Sequence, residues 1–350
     1  MPLRSLALLP LSVSLSLVAC GGDDGPRTDA EYQTDVVAKM HDSISIDLSV
    51  IVTGAMELQA AAPTHPWNAT TDAAAITAMK AAWRKCRVGY EHVEGATAPL
   101  FGDLDVTLDA RYDDYLAELQ PDGDQNLFDD QGVTGMHGIE RILYAREIRP
   151  EVVAHETTLQ GHKDASYPAT QQEADDFRTK LVQKLIDDAK SLHDQWQPAA
   201  IDLSEAFRGL IGLMNEQKEK VNLAASGEEE SRYANVTLFD LRNNLDGTKT
   251  VYELFRPWIM FKEGGAPDAM IQSQFTALAA IYGKTSGDQL PPVPADWSND
   301  APTAANLATD FGVLWKTVHD NVNPTTSGSV VFEMNEIAVL LGFPEFSEGP

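Results

Sequence analysis

Apolar residues recur at helical spacing along most of the chain, and this pattern predicts its elements. The first clear stripe falls at every third or fourth position and comprises Val36, Met40, Ile44, Leu48, Ile51, Ala55 and Leu58. This is the period of an amphipathic helix with one buried face. Pro63 and Pro66 end the stripe, and Asp72 is a suitable N-cap for a second helix that runs through Trp83 toward Ala98.

Further stripes predict helices up to the end of the chain. They cover 130–148, a long segment that opens at 167–168, 203–225, 236–261, 267–282, 304–320 and 332–341. Residues 101–114 are acidic and predict turns, and 290–302 is a Pro-rich connection. Alternating strand-like runs are scarce. The sequence therefore predicts an all-α fold made of two helical bundles packed together.

The N-terminus has the pattern of an export signal. Arg4 precedes an apolar run that ends at Ala19 and is shorter than the roughly 20 apolar residues of a membrane-spanning helix. The run closes in Leu-Val-Ala-Cys, which resembles a bacterial lipobox with Cys20 as the acylated residue. We expect a signal peptide over 1–19, a lipidated cysteine and flexible tether over 20–31, and a helical domain over 32–350.

Cysteine content and charge narrow the picture further. Cys86 is the only other cysteine, so acylation of Cys20 leaves no partner for an intramolecular disulfide, and the fold must rest on its core. Asp and Glu number 53 against 26 Lys and Arg, which gives a formal net charge of -27. Such a surface favours solubility, attracts cations and repels nucleic acid and anionic headgroups. We expect no nucleic-acid partner.

One face of the second predicted helix carries side chains that suit a metal site. Arg87, Tyr90, Glu91 and Glu94 follow one another at helical spacing and so lie close together. Neighbouring carboxylates repel each other unless a cation or an arginine lies between them. The alternative for this face is a surface ion pair between Arg87 and Glu91, with Glu94 in solvent.

The motif Gly-Met-His-Gly-Ile-Glu over 135–140 places His137 and Glu140 one turn apart. An imidazole and a carboxylate at this spacing can bind a metal, although helix-bundle di-iron sites use the reversed order. The pattern alone is a weak signal. Gly135 and Gly138 each weaken a helix by about 1 kcal/mol relative to alanine, so we expect another helix or a ligand to approach them closely.

Three blocks of sequence together resemble the imelysin-like family, and within it the EfeO/EfeM branch of envelope proteins associated with iron uptake. The blocks are 83–94 with 101–111, 135–140, and 227–247. The resemblance spans roughly residues 32–261. It implies two pseudo-symmetric bundles with a metal site near their junction, built around the Gly-x-His-x-x-Glu motif. Carried over by position, the implied metal ligands are His137, Glu140, Glu91, Glu94 and Asp109, with Arg87 and Tyr90 beside them.

The chain also departs from that family. EfeO has an N-terminal cupredoxin domain, and residues 20–32 are too few for one. The segment 147–169 looks like an insertion. The aspartate that is usual in the third block appears as Thr237, and Asp240 is the nearest substitute for a ligand from the second half.

The resemblance implies a lipid-anchored envelope protein, periplasmic or at the outer membrane, that binds a metal ion for uptake. Oxygen-rich ligation with one histidine suits iron and also accepts zinc. An iron permease or a peroxidase is the implied partner.

Two alternatives to this function stay open. One is an imelysin-type metallopeptidase, which needs about three protein ligands, a water position and a general base. The other is a non-catalytic binding or scaffolding lipoprotein.

Overall fold

The computed structural model describes residues 26–113, 115 and 126–345, so the predicted signal peptide and Cys20 lie outside the described residues. All regular elements in these ranges are helical, which confirms the all-α prediction. The helices are α1 (Asp29–Ala61), α2 (Ala73–Thr97), α3 (Gly102–Asp109), α4 (Gly135–Leu143), α5 (Pro150–Glu156), α6 (Gln171–Asp176), α7 (Val182–Trp196), α8 (Leu203–Asn222), α9 (Thr237–Phe261), α10 (Gly265–Tyr282), α11 (Ala304–Leu307), α12 (Asp310–Val322) and α13 (Val330–Leu340). A π-helical turn joins α6 to α7.

Helix α1 begins at a capping box and buries the predicted apolar stripe. The Glu31 carboxylate accepts the backbone N–H of Thr28 at 2.6 Å, and the Thr28 side chain accepts the N–H of Glu31. By length and composition alone, α1 would be able to cross a membrane. Its stripe instead packs against α2, α7 and α9, and Met40, Leu48 and Leu58 are fully buried. We therefore interpret α1 as a core helix.

The helices form two groups that meet along α2. The first group contains α1, α2, α3, α4 and α7, and the second contains α8, α9, α10, α12 and α13. Helix α2 packs against α1 and α4 on one side and against α8 and α9 on the other. Side chains on the inner faces of α2 therefore lie at the junction between the groups.

Three predicted segments differ from the structure in extent. The stretch 101–114 was predicted as turns, but it contains α3, whose first turn carries Asp103 and Asp105. That prediction is wrong because acidic residues stabilise the N-terminal end of a helix. Helix α4 is shorter than predicted because it starts only at Gly135, which has φ of +74°. The long segment that was predicted to open at 167–168 begins only after Thr170, whose side chain caps α6.

Glycines at the junction allow backbones to approach closely. A Cβ atom on Gly209 of α8 would lie 1.9 Å from the carbonyl oxygen of Gly95 on α2. A Cβ atom on Gly247 of α9 would lie 2.3 Å from the carbonyl oxygen of His92. Both distances are far below van der Waals contact, so α8 and α9 reach α2 only because these positions lack side chains.

Replacing Gly209 by Ala should lower the free energy of unfolding by about 1–3 kcal/mol, because the new methyl group forces two backbones apart. Gly212 lies one turn away on the same helix, and a Cβ there would have nothing within 4 Å. Gly212→Ala should be neutral or stabilise by up to about 1 kcal/mol through helix propensity. Urea unfolding followed by circular dichroism measures both. Equal effects of the two substitutions would contradict the proposed packing.

Candidate metal centre

Three side chains from separate segments converge at the junction, and we call them the buried triad. Nε2 of His137 on α4 lies 3.3 Å from Oδ1 of Asp109 at the end of α3 and 3.4 Å from Oε1 of Glu230 in the loop before α9. The His137 side chain is 2% exposed. Its Nε2 atom has no hydrogen-bond partner among the described residues. A buried imidazole nitrogen thus lies within ion-pair distance of two carboxylates without an aligned hydrogen bond to either.

The first glycine of the 135–140 motif explains how Asp109 reaches His137. A Cβ on Gly135 would lie 2.7 Å from the carbonyl oxygens of both Thr107 and Leu108, in the last turn of α3. Its positive φ is also a conformation that side chains disfavour. The close approach of another helix, predicted from the cost of these glycines, is therefore observed at Gly135. It places the end of α3 against the start of α4.

Glu140 lies on the opposite side of the imidazole from the other two carboxylates. Its Oε2 atom is 2.7 Å from Nδ1 of His137, and its Oε1 accepts the backbone N–H of Ala234 at 2.8 Å. Both oxygens of this fully buried side chain are therefore engaged. A carboxylate on the far nitrogen fixes the ring orientation and the tautomer of a metal-binding histidine.

Arg87 on α2 is the centre of the charge network. Its guanidinium is fully buried and pairs with Glu91, with Asp109 and with Glu230, the last at 3.2 Å. Nε of Arg87 also lies 3.5 Å from Oδ1 of Asp240 on α9. Two of these partners belong to the buried triad, so Arg87 links the triad carboxylates to both groups of helices.

Glu91 and Glu94, both expected near the motif, contact a different set of partners. Nδ2 of Asn244 donates to Glu91 and, at 2.8 Å, to Oε2 of Glu94. Nζ of Lys220 lies 3.6 Å from Glu94 Oε2 and 3.5 Å from Glu230 Oε2. The lysine separates Glu94 from the buried triad. The expected surface alternative for Arg87 and Glu91 also differs from the structure, since both are fully buried.

Glu230 is the residue of the triad that the sequence did not single out. It is the last of three consecutive glutamates in the third block, and position along the chain does not reveal which of them points inward. Glu230 supplies the carboxylate from the second half of the chain, for which Asp240 was the expected substitute. The glutamate run itself was the only available signal.

Carboxylates outnumber positively charged side chains at the centre, and this excess of negative charge shifts the pKa values of its groups. Burial, together with Glu94, raises the pKa of Asp105 to about 7, and burial raises the pKa of Asp240 to about 6. Tyr90 donates to Asp105 at 2.7 Å beside this cluster. Burial alone would lower the pKa of His137, but Asp109 and neighbouring glutamates raise it well above its ordinary value. The cluster therefore favours any added positive charge.

Replacing Arg87 by Met should lower the free energy of unfolding of the metal-free protein by about 3–5 kcal/mol, because it leaves buried carboxylates without their cation. Arg84, on the same helix, pairs with Asp288 at 2.6 Å where both side chains are about one-third exposed. Arg84→Met should change stability by no more than about 1 kcal/mol. Denaturant unfolding in the presence of a chelator compares them. A loss at Arg87 no larger than at Arg84 would show that the network does not depend on its guanidinium.

Comparison with known proteins identifies a matching family and curated relatives. The imelysin family profile (peptidase family M75) matches residues 49–305. Efem/EfeO family lipoproteins of Staphylococcus aureus strains MSSA476 and NCTC 8325 are 28% identical over 205 residues, which is 59% of this chain and 58% of each relative. The chain thus matches less than two thirds of the length of these relatives.

Two solved structures share the architecture at 12% sequence identity. An imelysin-like protein from Psychrobacter arcticum 273-4 has a TM-score of 0.58 and covers 92% of this chain and 99% of its own. A putative iron-regulated protein A precursor from Parabacteroides distasonis ATCC 8503 has a TM-score of 0.56, with 91% and 97% covered. At this identity the likeness shows the fold alone. The family profile, in contrast, matches well over half of the residues, and the chain therefore belongs to the imelysin family, as its three sequence blocks predict.

Proposed function

We propose that this protein is an envelope lipoprotein that binds a metal ion, with iron the first candidate, at the buried triad as part of iron uptake. The observation that carries the proposal is Nε2 of His137, which is buried, faces Asp109 and Glu230, and lacks a hydrogen-bond partner among the described residues. Leaving such an atom unsatisfied costs free energy. A bound cation removes that cost.

The distances suit ligands that share one ion. Metal bonds to imidazole nitrogen and carboxylate oxygen are about 2.0–2.2 Å long, so donor atoms around one ion lie about 3–3.5 Å apart. The separations from His137 Nε2 to Asp109 and Glu230 are 3.3 and 3.4 Å. We infer that these three residues bind the ion and that Glu140 orients the imidazole.

The surrounding charge supports a cation rather than another ligand. The carboxylates that surround or adjoin the triad include Glu91, Glu94, Asp105, Asp109, Glu140, Glu216, Glu230 and Asp240. Arg87 and Lys220 are the permanently positive side chains that contact this group. The remaining negative charge is what a divalent or trivalent ion compensates.

One nitrogen and two oxygen donors suit iron or manganese and also accept zinc. The relatives named Efem/EfeO family lipoproteins and the iron-regulated precursor from Parabacteroides distasonis favour iron among these. In this function the ion is cargo. An iron permease or a peroxidase at the membrane is the partner we propose for its transfer.

The geometry argues against Glu140 as the general base of the peptidase alternative. Hydrolysis at a zinc site requires a general base that takes a proton from the bound water. Glu140 is the carboxylate of the His-x-x-Glu motif, and its two oxygens are engaged by His137 and by the N–H of Ala234. Metal-loaded protein assayed with peptide substrates tests this alternative directly.

Replacing His137 by Ala should abolish most of the metal-induced stabilisation while leaving the metal-free protein folded. Binding at about 100 times the dissociation constant adds about 2.7 kcal/mol to the free energy of unfolding, and this gain depends on the triad. Thermal unfolding with and without Fe2+ under anaerobic conditions, or with Zn2+, measures the gain. Calorimetry provides the affinity.

His193 is a matched control because its side chain on α7 is 32% exposed and its ring pairs with Asp194 rather than with a residue of the triad. His193→Ala should bind metal like the unaltered protein. Glu140→Gln should weaken binding by about 10–100-fold rather than abolish it, as expected for a residue that orients a ligand. Unchanged affinity in His137→Ala would rule out the buried triad as the site.

Replacing Cys20 by Ser should release the protein from the membrane fraction, because we propose that the acylated thiol is its anchor. Cell fractionation with mass spectrometry of the N-terminus measures location and modification. The helical circular dichroism spectrum should stay unchanged. A variant that is processed before residue 20 and still sediments with membranes would argue for another means of attachment.

A further inference from the structure

A second group of metal-binding side chains lies near the buried triad, and we call it the outer triad. It consists of Asp113, His155 and Glu228. Nε2 of His155 on α5 lies 3.7 Å from Oδ2 of Asp113 and 3.7 Å from Oε1 of Glu228. The three residues come from three separate segments, so tertiary structure rather than local sequence brings them together.

The imidazole of His155 is unsatisfied in the same way as that of His137. Its Nε2 atom is shielded from solvent and has no hydrogen-bond partner among the described residues. One oxygen of each of the two carboxylates lies 3.7 Å from it. The two distances of 3.7 Å are slightly longer than the spacing of about 3–3.5 Å between donors around one ion, so a small movement of these partly exposed side chains would let them share a cation.

Two arginines position the outer triad and also limit its negative charge. The Arg232 guanidinium donates to both oxygens of Asp113, at 3.2 and 2.5 Å. Arg111 lies 3.7 Å from Asp113 and donates to the backbone carbonyl of Glu228. The arginines hold Asp113 and the Glu228 backbone in place. Because they compete with a cation for Asp113, this triad should bind more weakly than the buried one.

The carboxylates of the two triads come from the same two stretches of chain, whereas the histidines lie on α4 and α5. Glu228 and Glu230 are two residues apart, so their Cα atoms are separated by at most about 7 Å, and Asp109 and Asp113 by at most about 14 Å. The side chains of the outer triad are 18%, 18% and 33% exposed. In the buried triad the side chains of Asp109, His137 and Glu230 are 16%, 2% and 8% exposed. The outer triad is therefore the more accessible of two adjacent clusters.

We propose that Asp113, His155 and Glu228 form a second cation site, which takes a first-row divalent ion through one imidazole nitrogen and two carboxylate oxygens. The site goes beyond the function proposed for the buried triad, and each can be occupied without the other. It also assigns a role to His155, which lies in the segment that resembles an insertion.

The number of bound ions tests the proposal. Equilibrium dialysis of the detergent-solubilised full chain against Zn2+, and separately against Mn2+, should show two ions per chain, one tight and one weak. His155→Ala should weaken the second site at least tenfold and leave the tight site unchanged. Glu228→Gln should also weaken binding at the second site, although His155 is still present. Circular dichroism verifies that both variants remain folded.

His162 is the matched control on the same segment: its side chain is 15% exposed, and its two nitrogens face different carboxylates, Glu156 at 4.0 Å and Asp164 at 3.4 Å, rather than one nitrogen facing two. His162→Ala should retain both ions. If His155→Ala and Glu228→Gln both bind two ions with unaltered affinities, the second site is refuted. If His155→Ala loses the weak ion but His137→Ala keeps the tight one, the outer site stands while the function proposed for the buried triad fails.

Discussion

Arg87 is a fully buried guanidinium, and the arrangement of the metal centre depends on how its charge is compensated. A buried charge without partners is very unfavourable, so the fold has to bring carboxylates to it. Those carboxylates come from α2, from the end of α3, from the loop before α9 and from α9 itself. Because carboxylates from both groups of helices must reach the charge of Arg87, the two groups are held in fixed relative positions. The same requirement also fixes Asp109 and Glu230 at the distance from which they face His137.

Charge alone does not produce this geometry, because side chains of fixed length reach a common point only if their backbones are close. Gly135 lets the last turn of α3 lie against the start of α4, which carries Asp109 to His137. Gly247 lets α9 contact the backbone of α2 at His92, one residue from Glu91. The glycines that weaken individual helices are thus the positions that bring the charged groups together. Their cost to local helix stability is offset by contacts that form only in the assembled protein.

The sequence predicted the helices well where one apolar stripe faces the core, as in α1, because a single helix carries that whole pattern. It also placed His137 and Glu140 on one face, since residues three apart in a helix must be neighbours. It failed to identify Glu230, because three consecutive glutamates in a loop carry no periodicity that distinguishes inward from outward. The same limit applies to Glu94. Its spacing from Arg87 and Glu91 predicts a shared face, but only the tertiary structure shows that Lys220 lies between Glu94 and the triad.

The same carboxylates that suit a metal ion also raise the pKa of His137 well above its ordinary value, despite the burial that opposes protonation. In the absence of metal, a proton on the imidazole adds to the positive charge that Arg87 and Lys220 already supply to the centre. A metal ion bound at Nε2 must replace that proton, because metal ligation requires the neutral imidazole. Proton and metal are therefore alternative occupants of one position, and the excess of carboxylates favours both. The preference for metal must then come from geometry, since only an ion that bonds to several donors at once satisfies His137, Asp109 and Glu230 together.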